Sequence, residues 1–234
     1  MAELPFPSFE TLAKVSGWIR EQAAIWLAVV RNPLSFLSGV DMYSNAALGQ
    51  STGFLAFVLA ANAIIKVPFD ALEMHFNVLD VTYQLSDFVL TAISILIFSY
   101  SIFFFGKMLR GKGTPVAVMN SMLFAAAFYP LFNALGNIAG ATSGDYYKQL
   151  LQTVANHGVL VAPTQHPVAA IAYGFIMLPI VIWIISKLVP IVKSVHKIGS
   201  FRALIVLSLA GVAEQIYEGL VWIPLIMGLS KGTN

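Results

Sequence analysis

An apolar stretch near the end of the chain, residues 201–228, constrains the fold more than any other feature. As a helix it is long enough to cross the ~30 Å hydrocarbon core of a bilayer. It carries Glu214 and Glu218, and a carboxylate at that depth costs about 2.5–3.5 kcal/mol on insertion scales. Because the two glutamates are four residues apart, a helix places them one turn apart on one face. That face must meet protein, water or a cation rather than lipid.

The composition of the whole chain favours a membrane protein. Of its 234 residues, 58% are hydrophobic and 10% are charged, whereas an ordinary soluble domain is about 25% charged. The apolar runs are continuous, which indicates spanning helices rather than the alternating strands of a membrane barrel. The chain has no cysteine, which excludes disulfides and thiolate sites. A net charge of +2 gives no reason to expect a nucleic-acid partner.

Apolar segments predict an all-α, polytopic fold with five transmembrane helices. The first segment begins at Ala46 or Gly53 and ends near Phe69, and Lys66 interrupts its far end. The other four are residues 88–109, 114–139, 168–192 and 201–228. Between them we expect an acidic linker at 70–87 and a polar loop at 140–166, with a helix near 146–156.

Residues 8–31 are predicted to form an N-terminal amphipathic helix. Its expected apolar face consists of Phe9, Leu12, Ile19, Ala23, Trp26, Leu27 and Val30. Such a helix suits the bilayer interface, and packing against the protein's own surface is the alternative. The predicted domains are therefore a cytoplasmic interfacial helix at 1–32 and a five-span domain at 33–230.

Basic residues are distributed unevenly between the two predicted sides. One side carries ten of the thirteen: Lys14, Arg20, Arg31, Lys107, Arg110, Lys112, Lys187, Lys193, Lys197 and Arg202. The other carries Lys66, Lys148 and Lys231. By the positive-inside rule, the N-terminus is expected in the cytoplasm and the C-terminus outside. Six bases in the two turns are expected to contact lipid headgroups: Lys107, Arg110, Lys112, Lys193, Lys197 and Arg202.

Three motifs make the chain similar to the Yip1 domain family. The first precedes span one and contains Asn32, Pro33 and Phe36. The second is a glycine-basic turn that leads into an alanine-rich span, with Gly111, Lys112, Gly113, Ala125, Ala126, Ala127, Tyr129 and Pro130. The third is the final turn and span at 195–207.

The resemblance covers about residues 30–230, including the number of spans and their orientation. It implies a short member of the type found in the bacterial inner (plasma) membrane. Eukaryotic relatives act in vesicle traffic through a longer cytosolic N-terminal region. That region is nearly absent here, which puts a trafficking role in doubt. The resemblance supplies no catalytic residues.

Glu214 and Glu218 are the strongest candidates for chemistry. The functional interpretation is a proton or cation site, with Gln215 on an adjacent face and Tyr217 as a hydrogen-bond donor. The structural interpretation pairs the glutamates across a helix interface with Asn120, Asn133, Asn137 or a serine of the second span. A second form of the structural interpretation makes Lys66 the counter-ion of Glu218. An interface with another subunit is the third possibility.

Other polar groups give weaker signals. Asp70, Glu73, His75 and Asp80 match no strong metal motif and are expected on a solvated surface, as are His157 and His166 in a loop and His196 in a basic turn. No nucleophile motif is present, so no enzymatic activity or cofactor is expected.

The sequence therefore predicts a non-enzymatic scaffold or accessory subunit of a membrane assembly. The lipid bilayer and a homo-oligomer or larger complex are its expected partners. The alternative is a small ion- or proton-coupled transporter or channel that uses Glu214 and Glu218.

Overall fold

The computed structural model describes residues 9–73, 81–142, 167–222 and 224–225, and this part of the chain contains helices and no strands. Five segments in it are long and apolar enough to cross a membrane: Asn45–Lys66, Leu85–Met108, Pro115–Gly136, Gly174–His196 and Ser200–Val221. The predicted all-α class and the predicted set of five candidate spans are thus confirmed.

Eight helices of the described part, named here in chain order, form the architecture. They are α1 (Phe9–Arg31), α2 (Pro33–Ser38), α3 (Asn45–Glu73), α4 (Val81–Met108), α5 (Pro115–Ala125), α6 (Tyr129–Thr142), α7 (Pro167–His196) and α8 (Ser200–Tyr217). A π-helical turn, Glu218–Trp222, continues α8. The predicted linker 70–87, for which a partial helix was one expectation, is helical at both ends, because α3 extends to Glu73 and α4 already begins at Val81. The predicted helix near 146–156 lies outside the described residues.

The predicted third span is interrupted between α5 and α6. A 3₁₀ turn, Ala126–Phe128, separates the two helices, and Pro130 follows it. Proline has no N–H and its ring crowds the carbonyl four residues earlier, which disturbs the regular helical ladder at this point. The turn also leaves the Ala127 carbonyl free to accept a hydrogen bond from Trp26 Nε1 at 2.8 Å.

Helix α5 and the turn after it form the centre of the bundle. In the most apolar stretch of this span 67% of the residues are buried, against 17% for α7 and 17% for α8. On one side, the Phe124 ring contacts the rings of Phe36 and Phe54, with centroids 5.0 and 5.5 Å away. On the other side, a second apolar cluster joins α5 to α4, α7 and α8. Helices α7 and α8 therefore have few fully buried residues in the described part of the chain.

Helix α1 packs on the protein through its second half. Gln22, Ile25 and Val29 are buried there, whereas Ile19 and Leu27 are exposed. The bundle therefore covers a stripe beside the predicted apolar face, and the position of that face at the bilayer interface stays a prediction. The described side chains between residues 11 and 21 are all exposed.

The turns after α4 and α7 are fastened to each other, and we call this end of the bundle the basic end. The Lys112 N–H donates to the His196 carbonyl at 2.8 Å. The His196 imidazole is fully buried, so its predicted surface position is wrong. Three glycines surround the ring, and a β-carbon on any of them would press against it: Gly106, Gly111 and Gly113. A histidine fits here because these three positions carry no side chain.

Candidate functional site

A buried polar face on α4 organises the candidate site. Asp87, Thr91 and Ser94 lie four and three residues apart, so they share one side of the helix. Their exposed fractions are 5%, 2% and 2%. Buried polar groups in a spanning helix need polar partners, since lipid offers no hydrogen bonds. Two sets of residues from other helices meet this face.

The first set comes from α8. Ser94 Oγ donates to Glu214 Oε1 at 2.9 Å. This contact is the predicted pairing of the glutamates with a serine of the second span. Tyr217 donates its hydroxyl to the Leu90 carbonyl at 3.2 Å, rather than to a glutamate. Together the two bonds fasten α8 to α4.

The second set comes from α3 and α6. Lys66 Nζ lies 2.8 Å from Asp87 Oδ2, and both side chains are largely buried. The predicted pairing of Lys66 with Glu218 is therefore wrong. Asp87 lies nearer to Lys66 because α4 starts early enough to bring it into the bundle. The other carboxylate oxygen, Asp87 Oδ1, is buried without a hydrogen-bond partner among the described residues.

Tyr129 connects this ion pair to the asparagines. Its side chain lies beside Lys66 and Asp87 and hydrogen-bonds with Thr91 and Asn133. Asn133 Nδ2 in turn donates to Asn62 Oδ1 at 3.0 Å. Asn133 therefore belongs to this cluster and not to the glutamates.

Asn120 is part of a separate contact nearer the basic end. It is fully buried, accepts from Ser51 Oγ at 2.9 Å and donates to the Met42 carbonyl at 2.7 Å. The predicted bond between Asn120 and a glutamate is not formed, because the hydrogen bonds of Asn120 go to α3 and to the loop before it. The side chain of Asn137 lies outside the described residues.

Gln215 faces away from the bundle, whereas Glu218 is half-buried and its carboxyl group lies close to Ser94 of α4. Gln215 Nε2 donates to Glu218 Oε2 at 3.0 Å, in an exposed position. Gln215 is fifteen residues beyond Ser200, which corresponds to roughly 22 Å along the helix axis. It therefore lies inside the span by length, near its far end. Glu214 and Glu218 thus both lie near Ser94 of α4, and Gln215 is exposed.

The six bases predicted to contact headgroups are exposed at the basic end: Lys107, Arg110, Lys112, Lys193, Lys197 and Arg202. Arg110 and Lys197, one in each turn, have positive φ angles of 65° and 55°. Left-handed residues that directly follow a helix turn the chain sharply. The two turns, which are joined by the Lys112–His196 hydrogen bond, therefore expose their basic side chains at the same end of the bundle.

Several functional candidates of this cluster escaped the sequence analysis. Asp87 was assigned to a linker, Thr91 and Asn62 were not considered, and Ser94 was expected only as one of the serines of the second span. The spacing of residues 87, 91 and 94 was the available signal, because it places three polar side chains on one face of a helix.

The remaining sequence candidates do not form a described site. Among the residues that the structure describes, no group of three or more His, Asp or Glu side chains is placed to hold a metal ion. Six side chains lie outside the described part: Asp70, Glu73, His75, Asp80, His157 and His166.

No family model, curated protein or solved structure matches this chain. The resemblance to the Yip1 domain family therefore stays a prediction that rests on its motifs.

Proposed function

We propose that this chain is a non-enzymatic scaffold or accessory subunit of a membrane assembly, with a Yip1-like domain. The observation that carries the proposal is the exposed Gln215 side chain, which lies inside the last span. An amide group is costly against hydrocarbon unless other groups hydrogen-bond to it. A neighbouring protein surface in the membrane provides such groups, whereas lipid tails do not.

The inward polar groups support the same function in a different way. Asn120 joins α5 to α3, Asn133 joins α6 to α3, and Glu214 joins α8 to α4. Hydrogen bonds of this kind hold spanning helices together. These polar residues therefore act as contacts that stabilise the bundle, and the exposed Gln215 remains for assembly.

Glu214→Gln/Glu218→Gln in purified, reconstituted protein tests this function. We expect no ion or proton flux in the parent or the variant, and a smaller or less stable assembly in the variant. Gln50→Leu, an exposed polar position on α3, is the control for loss of a polar side chain and should leave the assembly unchanged. Flux in the parent that disappears in a folded variant would contradict the scaffold role.

Transport is the second candidate, and one observation favours it. Glu214 meets the same polar face of α4 that continues to Asp87 and Lys66. A continuous line of exchangeable groups is the arrangement that a proton or cation path needs. The flux measurement above decides between the two functions.

For location, we propose the bacterial inner membrane with the basic end in the cytoplasm, where its exposed cations contact anionic headgroups. The interfacial position of α1 belongs to the same proposal. Because the chain has no cysteine, single-cysteine variants report the orientation directly. A membrane-impermeant thiol reagent added to intact cells should label Leu85→Cys and spare Lys197→Cys. The reverse pattern would invert the topology.

A further inference from the structure

We propose that the joint between the two basic turns is a lock that acid opens. The joint consists of the end of α4, residues 109–113 and the end of α7. The neutral His196 ring keeps it closed, and the protonated ring leaves its pocket and separates the two turns. This inference goes beyond the scaffold role and does not depend on it.

The His196 ring is enclosed without a polar partner. The residue is fully buried, and neither Nδ1 nor Nε2 has a hydrogen-bond partner among the described residues. Gly106, Gly111 and Gly113 form the walls of the pocket, since a β-carbon on any of them would press against the ring. Because the ring is enclosed, it reaches water only when the elements around it separate.

A charge on the ring is unfavourable while the ring stays in this pocket. Protonation makes both ring nitrogens donors, and a buried charge needs a partner. The charged groups of the surrounding elements at this end are cations as well: Lys107 on α4, Arg110 and Lys112 in the turn after it, Lys187, Lys193 and Lys197 on α7 and directly after it, and Arg202 at the start of α8. Helix α5, which reaches the pocket through Val118, has no charged residue. The Ile102 carbonyl lies near the ring and opposes this effect, but one carbonyl does not replace the solvation of a charged imidazole.

The effect on the basic end follows from how the two turns are joined. The hydrogen bond from the Lys112 N–H to the His196 carbonyl, 2.8 Å long, crosses the joint beside the ring. Separation of the elements breaks this bond together with the ring contacts. Each turn carries three of the six exposed bases, so opening the joint moves two groups of cations apart. The arrangement of the basic end therefore depends on pH.

A buried thiol reports the opening, because the parent chain has no cysteine. Ile198→Cys places the thiol in the turn after α7, at a position that is 6% exposed. Ser194→Cys is the exposed control, which corrects for the effect of pH on the thiol itself. Val58→Cys, fully buried in the other apolar cluster, is the control for unfolding of the whole protein.

We expect I198C in detergent to react faster with 4,4′-dithiodipyridine as the pH falls. Relative to S194C, its rate should rise roughly tenfold between about pH 7.5 and 5.5, since an exposed histidine has a pKa of about 6.5. V58C should stay unreactive. A ratio that does not change with pH would overturn the proposal, as would V58C becoming reactive together with I198C.

Two further measurements assign the effect to His196. In a His196→Gln background, the corrected rate of I198C should no longer depend on pH, and an unchanged dependence would show that another group opens the joint. The second measurement is amide hydrogen exchange in the parent chain. Corrected for intrinsic rates, the protection of residues 109–113 should fall from pH 7.5 to 5.5 while the protection around Val58 is kept. Constant protection of residues 109–113 overturns the proposal even if the His196→Gln variant does not fold.

Discussion

At the scale of single residues, packing at the basic end depends on the absence of side chains. The buried His196 ring occupies the space that β-carbons at Gly106 and Gly111 would need. Helix α4, its following turn and the end of α7 approach each other closely because these positions are glycine. A methyl group there must displace either the imidazole or the backbone.

Gly106→Ala is therefore expected to destabilise the protein, by the roughly 1–3 kcal/mol typical of overpacking. Gly49→Ala is the matched control, since nothing lies within 4 Å of its added β-carbon. The control should be neutral or stabilising, because alanine favours helix more than glycine does. Thermal unfolding in detergent compares the two, and equal melting temperatures would contradict the packing described here.

The Lys66–Asp87 pair gives a second prediction at this scale. Removing one partner of a buried ion pair costs about 3–5 kcal/mol, because it leaves the other charge without its counter-charge. We expect Lys66→Met and Asp87→Leu each to lower stability strongly, and the double variant to lose less than the sum of the two. Additive losses in a double-mutant cycle would show that the two side chains do not interact.

The sequence predicted that polar residues within the spans would pair across helices, but it assigned some of the pairs wrongly. Lys66 was matched with Glu218 because both lie toward the same end of their spans. Asp87 is the actual partner, and it was placed in a linker because the start of α4 cannot be located to within a few residues from hydropathy alone. The Ser94–Glu214 contact was predictable as a type, since serines in the second span were among the expected partners.

At the scale of elements, α1 shows how a helix is fixed by a few contacts. Trp26 Nε1 donates to the Ala127 carbonyl, and Ile25 and Val29 are buried beside it. The existence of α1 was predictable from the spacing of its apolar residues. Its buried face was not, because the surface of the bundle chooses which of two neighbouring stripes is covered. The break at Ala126–Phe128 likewise depends on local backbone around Pro130, although the proline itself was visible.

Trp26→Phe is expected to loosen α1 from the bundle. The variant loses one hydrogen bond and leaves the Ala127 carbonyl unsatisfied, which costs about 1–3 kcal/mol. Hydrogen exchange should become faster in α1 while α3 stays protected. Trp18→Phe is the control. The exposed Trp18 ring contacts the Phe57 ring edge-on, with 6.2 Å between the ring centroids, and a phenylalanine at this position keeps an apolar contact. Unchanged exchange in Trp26→Phe would mean that other contacts hold α1.

At the scale of the whole molecule, the polar groups of the described spans include interior contacts and an exposed amide, Gln215 of α8. Four such contacts, centred on Asn120, Asn133, Asp87 and Glu214, join neighbouring helices inside the bundle. Composition and continuous apolar runs made five spans predictable. The division between inward and outward polar residues was not, because it requires knowing which side of α8 contacts α4.

The mass of the protein particle extracted from its membrane with an amphipathic copolymer tests the central claim most directly. The account predicts a particle larger than the 25.4 kDa of a single chain. Gln215→Leu should shift the particle toward one chain. A parent particle that contains one copy and no other protein would contradict the account.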